Sequence, residues 1–290
     1  MKKTLTLLLL LCGILTSSAQ LLYRVEGNGL KKPSYLFGTH HMAPLAVIDS
    51  VGAQDCFDVT EQVVGEMDMT QDQMQLAMAM QPHMMAPADS TLQKVLTPEQ
   101  FAKASEVFRK WAPMPGMELQ MLDMMKPMVV NSMMVVGLMS QMIPDFKPTE
   151  QLDTYFQTMA KERGMEIIPL ETAEYQASVL YGTTPIVVQA ESLMETVDDP
   201  EHTVEVTKEL NASYMARNLD NLYKLSQTDN DHPEFMIALL DRRNADWLTK
   251  LPEIMAKAPT FVAVGALHLA GEKGLIEGLR RQGYTVTPIK

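Results

Sequence analysis

The stretch Thr260-Phe-Val-Ala-Val-Gly-Ala-Leu-His-Leu-Ala-Gly-Glu-Lys-Gly274 decides how the rest of the chain is read. Phe261, Val262, Ala263 and Val264 form a short apolar run, the mark of a strand buried on both faces. Gly265 ends the run, His268 follows, and Gly271 precedes a helical pattern over 272–281. Open α/β sheets bind ligands outside the carboxyl ends of their strands, which is where this histidine falls. The arrangement recurs near the other end, where Ser34-Tyr-Leu-Phe-Gly-Thr-His-His41 is again a strand followed by Gly38-x-x-His41. One Gly-x-x-His carries little meaning. Two of them, closing apolar strands at opposite ends of the chain, predict two histidines brought to one sheet edge.

Working outward, residues 21–26 alternate loosely and meet Gly27-Asn28-Gly29, a turn signal that predicts a hairpin with 35–37. Gln62-Val-Val-Gly-Glu66 and Glu166-Ile-Ile-Pro-Leu-Glu171 read as further strands, each ending in a carboxylate. A closing strand is predicted after Gly283. Four strand ends thus carry His41, Glu66, Glu171 and His268. Between 69 and 165 the chain changes character: it is rich in methionine, poor in β-branched runs, and punctuated by prolines that start or stop helices. Helical spacing is read over 48–57, 96–111, 119–142, 149–163, 173–180, 185–196, 204–214 and 235–254. The expected fold is α/β of the α+β kind: a small mixed central sheet built from both chain ends, with a large Met-rich helical insertion.

Residues 1–19 read as a secretory signal, with Lys2 and Lys3, an apolar run over 5–14, and Ser17-Ser18-Ala19 as the cleavage pattern. The run is too short to span a bilayer. Leu11 is not the small residue expected before a lipid-modified Cys12, so cleavage after Ala19 is favoured over a lipid anchor. The expected product is an exported single domain over 20–290, periplasmic or extracellular. Taking 19 residues and two lysines from a chain of 290 residues and formal charge −12 leaves 271 residues at −14. Such an acidic chain is a poor partner for nucleic acid, and no later stretch predicts a membrane span. Only Cys56 survives processing, which excludes an intrachain disulfide and a cysteine metal site.

Imidazole and carboxylate suit manganese, cobalt, iron or zinc, and ligand types alone do not choose among them. Glycines Gly38 and Gly265 allow positive φ or close backbone approach at a ligand turn. One of Glu66 and Glu171 would be a ligand and the other a general base, with Asp68 and His40 as further candidates. Arg242-Arg243-Asn244 lies in a helical pattern, so its two arginines cannot face one point; one of them would reach the sheet edge and hold a carboxylate or an oxyanion. His202 and His232 read as surface residues. Met67, Met69, Met74, Met78, Met80 and His83-Met84-Met85 resemble copper(I) sequences, but an adaptable apolar surface or peptide groove accounts for them better.

Leu36-Phe-Gly-Thr-His-His41, Val63-Val-Gly-Glu66, Pro169-Leu-Glu-Thr172, Arg243-Asn244 and Val264-Gly-Ala-Leu-His-Leu-Ala-Gly271 together resemble the TraB/GumN family, which is related to the TIKI metalloproteases that cleave Wnt proteins. The resemblance spans nearly the whole chain after the leader, in order. It implies His41, His268 and Glu66 at a divalent metal, manganese or cobalt more than zinc. Arg243-Asn244 would be the polar helix pair, and the substrate a peptide or protein. It implies a metal-dependent hydrolase, a peptidase above all. The alternative is a non-catalytic envelope protein binding haem, metal or peptide in the same cleft, since the wider superfamily holds several activities.

Overall fold

In the computed structural model, residues 20–41, 43–143, 150–227 and 233–290 are described. The leader read over 1–19, and His232, lie outside them. Leu22–Gly27, Ser34–Thr39, Gln62–Gly65, Glu166–Pro169, Thr260–Gly265 and Tyr284–Pro288 are strands β1 to β6. They form one mixed sheet in the order β4-β3-β5-β2-β1-β6. β4, β3, β5 and β2 run parallel, and β1 pairs antiparallel with both β2 and β6. The fold is therefore mixed α/β, with strands drawn from both chain ends.

The pattern of the strands follows from their sequences. β2, β3 and β5 are nearly continuous apolar runs and are buried along their length, as strands covered on both faces must be. The hairpin from β1 to β2 turns through Gly27, Asn28 and Gly29, all with positive φ, and Leu30 N–H donates to the Gly27 carbonyl at 3.0 Å. Phe37, Phe57, Phe156 and Phe261 interlock at the centre, with ring centroids 4.5–6.1 Å apart. Phe156 comes from the helix Leu152–Glu162, which covers β3 and β5. Trp247 and Leu251 from the helix Arg243–Lys257 are also fully buried in this core.

A second core is wholly helical. Phe108 and Trp111 of the helix Pro98–Trp111 pack with Val130, Met134 and Leu138 of Pro127–Met142 and with Leu193 of Ile186–Asp198. Thr97 and Gln100 cap the first of these helices reciprocally, with Pro98 in its first turn. Two helices meet closely at Gly137, where a Cβ would run into the Trp111 carbonyl. The body therefore draws on a helix beyond 165, while Leu152–Glu162 packs on the sheet.

Several helical boundaries differ from the periodicity for local reasons. The pattern over 119–142 is two elements, Leu119–Leu122 and Pro127–Met142, because Pro127 has no N–H to continue an earlier helix. Gly52, at φ 70°, divides Val47–Val51 from Ala53–Asp58. Gln73–Met84 carries no apolar stripe, since Leu76 alone is buried, and spacing gives no signal for it. Among the described residues no helix is long and apolar enough to cross a membrane.

Candidate functional site

The parallel strands deliver their carboxyl ends to one edge. Gly38 of β2 is level with Val264 of β5, and Gly65 of β3 is level with both Ala263 of β5 and Pro169 of β4. The ladder continues one step further, where Glu171 N–H donates to the Glu66 carbonyl at 2.9 Å, setting the two acids side by side. After β5 a single turn, Ala266–His268, drops His268 into the buried edge. The two motif glycines serve close approach rather than positive φ. A Cβ on Gly38 would come within 3.0 Å of the Ala266 backbone, and one on Gly265 within 3.2 Å of Glu66 Oε1. Gly265 sits at φ −50°, so the close contact with Glu66, rather than backbone conformation, is what favours glycine there.

Arg243 is the centre of the site. It follows a π-helical turn, Ile237–Arg242, and points inward with 2% of its surface exposed, while Arg242 pairs with Glu234 outside. Its Nε and Nη2 donate to the two oxygens of Glu171 at 2.9 and 2.6 Å. Nη2 also donates to Glu66 Oε2 at 2.6 Å, and Nη1 donates to the Leu239 carbonyl at 3.0 Å. Nη1 lies 2.9 Å from His268 Nε2. A guanidinium has five N–H groups and accepts nothing, so all five are spent here. Its plane lies over Trp247, 4.7 Å from the ring centroid.

That arginine fixes the state of His268. Because Nη1 can only donate, Nε2 must accept, and the ring proton sits on Nδ1. There it donates to Asn244 Oδ1 at 2.7 Å, while the Asn244 amide donates to the Lys273 carbonyl at 3.0 Å. The ring also stacks on Trp247 at 4.3 Å. Burial, reinforced by Arg243 against the opposing pull of Glu66, takes the His268 pKa down to about 3. Burial would raise Glu66, but the positive fields of His268 and Arg243 and the Gly265 N–H bring it to about 2. At neutral pH His268 is uncharged, so Arg243 and Gly265 are the groups holding that charge. Glu171 is pushed up, first by burial and then by the neighbouring Glu66, against its bonds to Arg243. One cation serving two carboxylates cannot stabilise both fully. Gln176 bridges them, donating to Glu66 at 2.9 Å and Glu171 at 3.1 Å.

His41 stands apart from this cluster. Its side chain is 70% exposed, and Nδ1 lies 3.9 Å from Asp153 Oδ2. His40 turns inward and stacks on Tyr214 at 5.0 Å. Burial first, then the charge of His41, lowers His40 to about 4. Asp68 accepts from the backbone and hydroxyl of Thr70 and faces a neighbouring cleft of about 310 Å3. Met67, Leu76, Pro169, Glu171 and Glu174 line that cleft with it. His202 is exposed on the helix Pro200–Met215.

The metal set implied by the resemblance does not fit this arrangement. Among the described residues no three His, Cys, Asp or Glu side chains converge to hold an ion. His268 Nε2 is occupied by Arg243, both Glu66 oxygens accept hydrogen bonds, and His41 faces outward. The oxyanion role read for Arg243 likewise finds no N–H left to perform it. Gln176 and Asp153 carried no signal in the sequence: each is one polar residue on an ordinary helix, placed at the edge only by packing. A family model described as the TraB/PrgY/gumN family matches residues 21–288. No curated protein and no solved structure gave a match.

Proposed function

The chain belongs to the TraB/PrgY/gumN family, and from that premise we propose that it is an exported hydrolase acting on peptide bonds at the carboxyl edge of the sheet. The observation that carries the reading is an exposed imidazole, His41, beside Asp153 at the end of β2, on the same sheet edge as the bonded cluster of Glu66, Glu171, Arg243, Asn244 and His268. His41 is the group free to take a proton from an attacking water. Glu66, held at about 2, is too weak a base at neutral pH. The Arg243 cluster fixes the edges of β3, β4 and β5 against which a substrate backbone would lie. The adjoining cleft supports a peptide, because apolar Met67, Leu76 and Ala79 line it beside Glu171, and thioethers adapt to varied side chains.

The test is cleavage of a diverse peptide library read by mass spectrometry, with the protein stripped by chelator and then given manganese, cobalt or zinc singly. Cleavage that disappears in His41→Ala supports the reading. Peptide or haem binding without cleavage under every condition would replace it with a binding protein. Dependence on one metal, lost in both His41→Ala and His268→Ala, would require Arg243 to release His268 on metal binding.

A further inference from the structure

We infer that Asp153 is the positioning carboxylate of His41, directing the Nδ1–H of the imidazole inward so that Nε2 faces substrate. The inference rests on the hydrolase reading of this edge and adds a residue to it. Asp153 lies in the first turn of the helix Leu152–Glu162, whose Leu152, Phe156 and Ala160 are buried against the sheet. The helix is thereby fixed, and so is the place of its carboxylate: beside the loop that follows β2, with Oδ2 3.9 Å from His41 Nδ1.

The contrast with the neighbouring acids carries the argument. Both oxygens of Glu66 and both of Glu171 accept hydrogen bonds from Arg243, Gln176 or Gly265. Asp153 Oδ1 is buried and makes no hydrogen bond of good geometry; its buried neighbour is the Thr39 hydroxyl, which lowers the carboxyl's pKa and likewise has no other partner. A carboxylate kept only for packing would be replaced without loss by an apolar side chain, since an unpaired buried acceptor costs stability. That leaves Oδ2, and the exposed group facing it is His41, at 3.9 Å. Their separation is longer than a hydrogen bond, and catalytic pairs without substrate are commonly that loose. Closing the gap takes one rotation of an exposed imidazole. The ring then presents Nε2, its acceptor nitrogen, to the open side of the sheet edge.

Burial also pushes the Asp153 carboxyl up, against the His41 imidazole and with the Glu66 anion. A neutral imidazole donates from Nδ1 to either form of the carboxyl, so the positioning role does not depend on its charge.

The experiment uses Asp153→Asn, Asp153→Ala and Asp153→Glu in the purified protein, with folding checked by circular dichroism. Imidazole nitrogens are observed by long-range proton–nitrogen NMR, and His41 is assigned by its loss in His41→Ala. The expected result is a predominant Nδ1–H tautomer for His41 in the wild type, lost in Asp153→Ala and restored in part by Asp153→Glu. On any peptide that the wild type cleaves, kcat falls by about 100-fold in Asp153→Ala with KM nearly unchanged. An unchanged His41 signature in folded Asp153→Ala overturns the inference. A wild type that cleaves nothing refutes the hydrolase reading, and the NMR result still decides whether Asp153 positions His41.

Discussion

Replacing Arg243 with methionine keeps much of the side-chain volume and removes the shared cation of Glu66 and Glu171. Breaking a buried ion pair from one side typically costs about 3–5 kcal/mol, because the partner charge is left unpaired. Here two carboxylates lose their partner, and the Leu239 carbonyl and His268 Nε2 lose their donor. The upper half of that range is therefore expected. It is a large share of a domain stability of about 5–15 kcal/mol. At about 2 °C per kcal/mol for a chain of this size, Tm should fall by roughly 8–10 °C. Urea unfolding at pH 7 gives the energy, and fluorescence locates it. The two tryptophans lie in different cores, Trp111 in the helical one and Trp247 beneath Arg243, so a Trp111→Phe background reports the site alone. A second variant makes the reasoning specific. Arg243→Met combined with Glu66→Gln and Glu171→Gln leaves no unpaired charge and should recover half the loss or more. A single variant within about 1 kcal/mol of the wild type, the range of exposed pairs, would refute the buried cluster. A triple variant no more stable than the single one would refute its electrostatic account.

His40 and His268 are neutral when folded, at about 4 and about 3, while unfolded imidazoles protonate below about 6.5. The unfolded state thus binds more protons as pH falls, and stability should drop by about 2 kcal/mol per histidine between pH 8 and pH 5. His40→Phe should remove about half of that slope in urea titrations at the two pH values; an unchanged slope would show that His40 is not buried neutral. Glu66 acts lower, because its depressed pKa gives stability present above about 4.5 and lost as pH falls toward 2, so Glu66→Gln should flatten that acid limb. Gly137→Ala should cost about 2 kcal/mol or more, because the added methyl meets the Trp111 carbonyl. Gly182→Ala, with open space around it, should be neutral or stabilising by thermal melts.

The sheet was legible because its strands are pure apolar runs ending in glycine and a polar residue, a pattern that survives without any tertiary information. β2, β3 and β5 follow directly from it, as does the gathering of Glu66, Glu171 and His268, and β4 follows from Ile167 and Ile168 ahead of a carboxylate. The burial of Arg243 rather than Arg242 was not legible. Sequence says only that two adjacent helical residues point apart, and the choice is made by a π-helical turn that no periodicity reports. His41 and His268 looked equivalent, since both follow Gly-x-x. They differ because β5 is followed by a tight turn that packs against Gly38, while the loop after β2 leaves its last residue outside and buries His40 against Tyr214. Asp153 and the helix Gln73–Met84 lay beyond reach for a simpler reason. Their places are set by what they pack on, and their own residues carry no spacing that says so.

The charge of the edge constrains what chemistry it can support. One guanidinium faces two carboxylates, and the histidine between them is neutral, so one negative charge stays uncompensated at the strand ends. Asp153 adds a further acidic group nearby. A tetrahedral oxyanion formed beside this cluster would be repelled, and every N–H of the Arg243 guanidinium is already committed. On the proposed reading, hydrolysis at His41 would place the scissile carbonyl on the outer side of the imidazole, away from Arg243. The donors to its oxygen would then be groups other than Arg243, outside the cluster. The same negative edge should favour substrates with a positive charge near the scissile bond. In the peptide library, cleavage sites are expected to be enriched in lysine and arginine on either flank, with the preference weakening as salt is raised. Enrichment in aspartate and glutamate instead would mean that the cluster does not face the substrate.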